Sequence, residues 1–195
     1  MKNPVCIKIF DAPPVCESEI LRYSGCKDNV VNVLELVSEC IEEAKNELTY
    51  VVCYTTLDLK IIGDECDFGL FKVRSCDLSK NLSGCNRVIV FAATVGFGID
   101  RLISRYSRVS PSKALMMQSL GTERIEALCD EFCRSVSESY RIKRRFSSGY
   151  GDLPLDVQND IFSVLDCTKR IGVVLNDSLL MSPSKSVTAF VGIYN

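Results

Sequence analysis

The sequence predicts an α+β fold. Strand-like and helix-like segments follow one another irregularly, without the repeated βαβ units of a doubly wound sheet. The C-terminal run SLLMSPSKSVTAFVGIY holds two strand-like stretches around SPSK and reads as an antiparallel hairpin. The chain of 195 residues has no internal repeat, low-complexity tract or Pro/Gly linker, so residues 1–195 are expected to form a single domain.

Each element has its own signal. Residues 17–23 read as a short helix stopped by Gly25. Val30, Val33, Leu34, Val37, Cys40, Ile41 and Ala44 recur at helical spacing behind Asp28, a capping candidate, and both helices are expected on the outside of a sheet. The β-branched and aromatic stretch YVVCYTTL at 50–57 is a strand, and 60–62 and 68–73 suggest two more. Leu78 and Leu82 mark a short helix before Gly84. Residues 87–95 are nearly all apolar, the pattern of a strand covered on both faces, and Ile99, Leu102, Ile103 and Tyr106 then carry helical spacing. Ser110-Pro111 is a helix start, with proline in the first turn where its missing N–H costs nothing. Ile125, Leu128, Cys129, Phe132 and Val136 mark the apolar face of a long helix that either continues from the one before or breaks at Gly121. Pro154 opens a further helix with Val157, Ile161, Val164 and Leu165 inward.

Composition removes several function classes. With no histidine the usual general base, Ser-His and Cys-His nucleophile pairs and His-containing metal sites are absent. The eleven cysteines include no CxxC pair, which suggests reduced, mostly buried thiols rather than a disulfide framework or a zinc site. A formal net charge of -2 gives no general attraction to nucleic acid or to an anionic membrane. The N-terminal stretch lacks the apolar core of a signal peptide, and the longest apolar run, VIVFAATVGFG, is too short for a bilayer span, so a cytoplasmic protein is expected.

Three local patterns carry both a functional and a plain structural reading. The GxG in VIVFAATVGFGIDRLI stands between strand and helix, where dinucleotide sites seat phosphate, but the third glycine is missing and a tight turn is the better reading. Cys129 and Cys133 are spaced i, i+4 among apolar neighbours and read as core, since two thiols cannot complete a tetrahedral metal site. Arg141, Lys143, Arg144 and Arg145 form a basic run whose ordinary explanation is a solvated helix end. The loop after it changes the balance. Arginine can grip a carboxylate bidentately, and a Ser/Gly loop beside a tyrosine can meet a base. An RNA-binding role for the run is disfavoured by the net charge and the lack of interleaved aromatics.

Residues 145–150, RFSSGY, match RxxxGY and resemble the signature of the S-adenosylmethionine-binding activation domain of cobalamin-dependent methionine synthase. KRIGVVLNDSLLMSPSKSVTAFVGIY, EILRY and FAATVGFGIDRLISR are similar to further stretches of that family, including its short stand-alone members. The resemblance implies a bent, largely antiparallel sheet flanked by helices, with S-adenosylmethionine on its concave face. It places Arg145, Ser147, Gly149, Tyr150 and, on the preceding long helix, Glu126 around that ligand. It further implies a reactivation subunit for a separate methionine synthase lacking its own activation domain. The cobalamin would be carried by that partner and reduced by flavodoxin, and this chain would need no catalytic nucleophile. Two family features have no counterpart, an aspartate-bearing N-terminal segment and a tyrosine pair beyond the last strand, so a partner is expected to complete the site. The rival reading is a non-catalytic docking partner of a corrinoid protein that no longer binds S-adenosylmethionine.

Overall fold

The computed structural model describes residues 4–26 and 31–194; Asp28 and Val30, read above as a cap and a helical position, lie outside them. In chain order the first elements are β1 (Cys6–Ile9), α1 (Glu17–Ser24), α2 (Val31–Ala44), β2 (Val51–Asp58), β3 (Lys60–Ile62) and β4 (Glu65–Asp67). There follow β5 (Lys72–Arg74), α3 (Cys76–Asn81), β6 (Arg87–Thr94), α4 (Gly98–Tyr106) and α5 (Pro111–Ser137). The last are β7 (Arg141–Ile142), β8 (Phe146–Ser147), α6 (Val157–Leu165), α7 (Cys167–Ile171), β9 (Val174–Leu175), β10 (Met181–Ser182) and β11 (Ser186–Tyr194). The architecture is α+β, a curled antiparallel sheet flanked by helices.

The apolar run at 87–95 explains the arrangement, because a strand without a polar face must be covered on both sides. As β6 it occupies the middle of a six-stranded sheet ordered β1-β2-β6-β11-β7, with β8 also pairing β11 and every pairing antiparallel. Successive side chains point to opposite faces. Ile89, Phe91 and Ala93 enter one core with α1, α2, α4 and α5, while Val88, Val90 and Ala92 enter a second with α3, α6 and α7. The first core centres on Phe132 of α5, whose ring lies 4.8 Å from Phe91 and 5.1 Å from Tyr54. In the second, Phe68 stacks on Phe190 at 5.1 Å. No helix among the described residues is long and apolar enough to cross a membrane.

The structure departs from the sequence reading in three places. Residues 68–73 are not one strand: 68–71 are the turn joining β4 to β5, and only 72–73 are strand, as the start of β5. The Asp67 carboxylate accepts from Gly69 N at 2.8 Å, Gly69 takes φ +77°, and Phe68 turns inward. The C-terminal stretch is not a hairpin of its own. β10 pairs β9 through a turn closed by the Asn176 side chain, and Asp100 of α4 holds the following loop by Ser184 N at 3.1 Å and Ser184 Oγ at 2.5 Å. That frees β11 to pair with β6. The basic run is no helix end either, since α5 stops at Ser137 and residues 141–145 lead through β7 toward β8.

Two open alternatives are resolved. The long helix is α5 alone, unbroken across Gly121, where a Cβ would stand 2.9 Å from Ile99 Cγ1 and 3.0 Å from Lys185 Cε. The GxG is a tight turn against the 47–49 segment. A Cβ on Gly98 would lie 1.8 Å from Glu47 O, and one on Gly96 2.5 Å from Thr49 Oγ1. Both glycines are therefore explained by the close approach of the 47–49 segment.

Candidate functional site

Strand periodicity aims the key arginine. Phe146 of β8 packs against the second core, so its neighbours Arg145 and Ser147 face the other way, toward α5. There Glu126 and Asp130 stand one helical turn apart on one face. The Arg145 guanidinium bridges them, NH2 to Glu126 and NH1 to Asp130. Burial works against the Arg145 charge. The hydrogen bond to Asp130 and the neighbouring charges of Cys129, Glu126 and Asp130 together outweigh it, and the guanidinium titrates above its ordinary range. One cation against two carboxylates leaves the cluster at a formal charge of -1. Cys129 and Cys133 lie behind it, their thiols pushed up by burial and opposed by Arg145, so they are core thiols rather than nucleophiles.

Arg145 and Glu126 stand between two hollows. The first, about 330 Å³, is walled by Phe146, Ser147, Ser148, Tyr150, Gln158 and Met181, with Ser186 to Thr188 of β11 as its floor. It sits at the lower end of the roughly 300–1,000 Å³ typical of small-molecule sites. The second, about 570 Å³, lies between α1, α5 and the segment Pro13-Pro14. It carries Glu19, Glu123, Glu126, Asp130 and Glu131 together with Arg134 and Arg145. Tyr23 on its rim is raised above its usual pKa by burial first and by the Glu126 charge second.

Of the residues singled out from sequence, Arg145, Ser147, Tyr150 and Glu126 meet at the first hollow. Gly149 is not in its wall. It serves the turn instead, at φ +85° with its N–H on Leu153 O at 3.0 Å. The backbone of this loop is less free than its Ser/Gly composition suggests, because Tyr150 N donates to Ser147 O and Leu153 N to Tyr150 O. Tyr150 stands at the rim, 69% exposed, with its ring edge-on to Phe146 at 6.4 Å. The pairing of Arg145 with Glu126 was not foreseen, each having been read as a separate ligand contact. Phe146 and Ser148 lie inside the RFSSGY motif without being singled out in it, and Asp130, Gln158 and Met181 were missed. Of these last three, Asp130 alone left a readable trace, its i, i+4 spacing from Glu126.

Gly151 and Asp152 fix the loop from its far side. Asp152 accepts from the Ser75 hydroxyl, from Cys76 N at 2.7 Å and from Asp77 N at 3.1 Å, and Ser75 Oγ caps Leu78 N at 3.0 Å. Gly151, at φ +54°, presses so closely on Asp77 that a Cβ would stand 2.3 Å from its carboxylate.

This is the anatomy of an α+β domain with a mixed-charge hollow where its sheet meets its longest helix. A solved structure described as the crystal structure of the MetH reactivation domain bound to AdoHcy matches it with a TM-score of 0.73 at 14% sequence identity. The match covers 98% of this chain and 78% of that one, and it establishes a shared fold. No protein-family model matches the sequence, and no curated protein matches it.

Proposed function

We propose that this chain binds S-adenosylmethionine in the hollow beside Arg145 and serves as the reactivation subunit of a separate cobalamin-dependent methionine synthase. The observation that carries the reading is convergence. Four of the five RFSSGY and α5 residues named from sequence line one cavity, in a fold shared with a reactivation domain bound to AdoHcy.

The residues present suit the ligand. Its amino-acid end is a zwitterion, and Glu126, Arg145 and Asp130 offer both signs within one cluster. A guanidinium has five N–H donors, so Arg145 can hold a ligand carboxylate while it keeps Glu126 and Asp130. The carboxylates face the ammonium, and the cluster's formal charge of -1 complements a sulfonium. Phe146, Tyr150 and Met181 give the nucleoside end apolar walls. S-adenosylmethionine supplies a transferable methyl group. The work of this chain is to bind and orient it toward the acceptor, a cobalamin carried by the partner and kept reduced by flavodoxin.

Calorimetry with S-adenosylmethionine tests the binding step. Arg145→Ala should weaken binding at least tenfold, since a hydrogen bond to a charged group contributes roughly 1.5–3 kcal/mol and about 1.4 kcal/mol is tenfold. No heat with the native chain, alone or with its synthase, would point instead to a docking partner without ligand binding. Mixing the chain with the synthase, a reductant and S-adenosylmethionine should restore turnover.

A further inference from the structure

Three buried side-chain polar atoms among the described residues have no hydrogen-bond partner: Asn81 Oδ1, Ser148 Oγ and Gln158 Oε1. Two of the three belong to residues that line the hollow beside Arg145. Folded proteins leave few such atoms, because each one buried without a partner costs free energy. Gln158 is 5% exposed and Ser148 9%, so neither reaches bulk water to compensate.

The placement of Gln158 is not an accident of a loose surface. Its neighbours Val157 and Ile161 on α6 are buried in the second core, and its own N–H is held by Leu155 O at 3.1 Å. A methionine or leucine there would pack with no orphaned acceptor. An amide kept at such a point answers to a polar group that arrives from outside.

Resting on the S-adenosyl reading above, we infer that Gln158, assisted by the Ser148 hydroxyl, reads the exocyclic amine of the ligand's adenine and so sets the base specificity of the site. A glutamine amide matches the amine and the adjacent ring nitrogen of adenine, the pairing used wherever glutamine reads that base. Phe146 and Met181, on the same wall, supply the apolar surface on which a base would lie. Binding would give Gln158 Oε1 the donor it lacks, through a small turn of the amide. Sites that hydrogen-bond a substrate group reject analogues lacking it much more strongly than apolar pockets do, because their own polar atoms stay unpaired.

The test compares S-adenosylhomocysteine with its 6-deamino analogue, in which hydrogen replaces the amine, on the native chain and on Gln158→Met. The native chain should prefer the adenine compound at least tenfold, and the variant should bind the two within about threefold of each other. The unliganded variant should melt no lower than the native chain, since it loses an unmet acceptor. A variant that keeps the full preference overturns the inference. So does one that melts lower while keeping the preference, which would assign the amide to a structural water. If Arg145→Ala abolishes binding while Gln158→Met leaves the preference intact, this inference alone fails. If the folded native chain binds neither compound, the S-adenosyl reading fails and takes the inference with it.

Discussion

Asp152, two residues past Tyr150, decides how firmly the candidate loop is held. Its carboxylate takes three donors from the start of α3, so a six-residue helix and the RFSSGY loop share one anchor. The Ser75 hydroxyl first, then the Asp77 and Cys76 amides, hold the Asp152 carboxyl below its ordinary 3.8. A carboxyl whose pKa falls on folding stabilises the native state fully above its unfolded value, roughly 3.9, and loses that contribution as the pH drops through the folded value. Asp152→Asn should therefore melt below the native protein at pH 7, with the gap closing below about pH 4. Melting curves for both proteins across that range check it, and a gap that widened on acidification would refute it. The same variant should bind S-adenosylmethionine more weakly with Arg145 untouched, because the turn that presents Ser148 and Tyr150 loses its far tether. At this scale Arg145 was legible as a special residue from its six-residue context. Its partners were not, because Glu126 and Asp130 are 19 and 15 positions away and only the fold brings them within reach.

Helices and strands show where local pattern was enough and where packing overrode it. α4 and α6 were readable because their apolar residues repeat at the helical period, β2 from its β-branched and aromatic content, β6 from its unbroken apolar run, and α5 because Ser110-Pro111 opens it. The turn at 68–71 was read as strand because its aromatic residues serve the Phe68–Phe190 stack, a tertiary contact that local propensity cannot see. β7, β8, β9 and β10 are two residues each, too short for any periodicity. The GxG before α4 is an element-scale constraint. Gly98→Ala should destabilise the protein by about 1–3 kcal/mol through overpacking on Glu47 O. It should leave ligand affinity unchanged, and a lost affinity would revive a nucleotide role for that turn. On α5, the buried Arg124 clamps the N-terminal segment through Pro13 O at 2.6 Å and Pro14 O at 2.8 Å while pairing with buried Glu123. Glu123 in turn accepts from Cys16 N at 3.1 Å. Arg124→Met should cost about 3–5 kcal/mol in urea titrations, because it strands the Glu123 charge. Adding Glu123→Gln should recover part of that loss. If the double variant were as unstable as the sum of both changes, the pair would not be coupled.

Across the whole molecule the site belongs to neither core alone. Phe146 reaches the second core while Arg145 binds α5 of the first, so the hollow opens where two separately packed faces of the sheet meet. A ligand spanning it would couple both faces to one binding event. Binding stabilises any state that retains the site, by about 2.7 kcal/mol at a ligand concentration of one hundred times Kd. Amide exchange separates the consequences. Core amides of β6 and β11 that exchange through global unfolding should slow about 100-fold with S-adenosylhomocysteine, because unfolding releases the ligand. The Gly149 and Leu153 amides, hydrogen-bonded within the loop, should slow as well, since opening the loop dismantles the wall. Amides at remote helix ends, such as Glu47 bonded to Ala44 O and Ser107 to Ile103 O, open without disturbing the hollow and should keep their rates. Slowing at Glu47 and Ser107 with none at Gly149 and Leu153 would put the ligand elsewhere on the molecule. Uniform slowing everywhere would mean that no local opening is independent of the site, and the two cores would have to be treated as one cooperative unit.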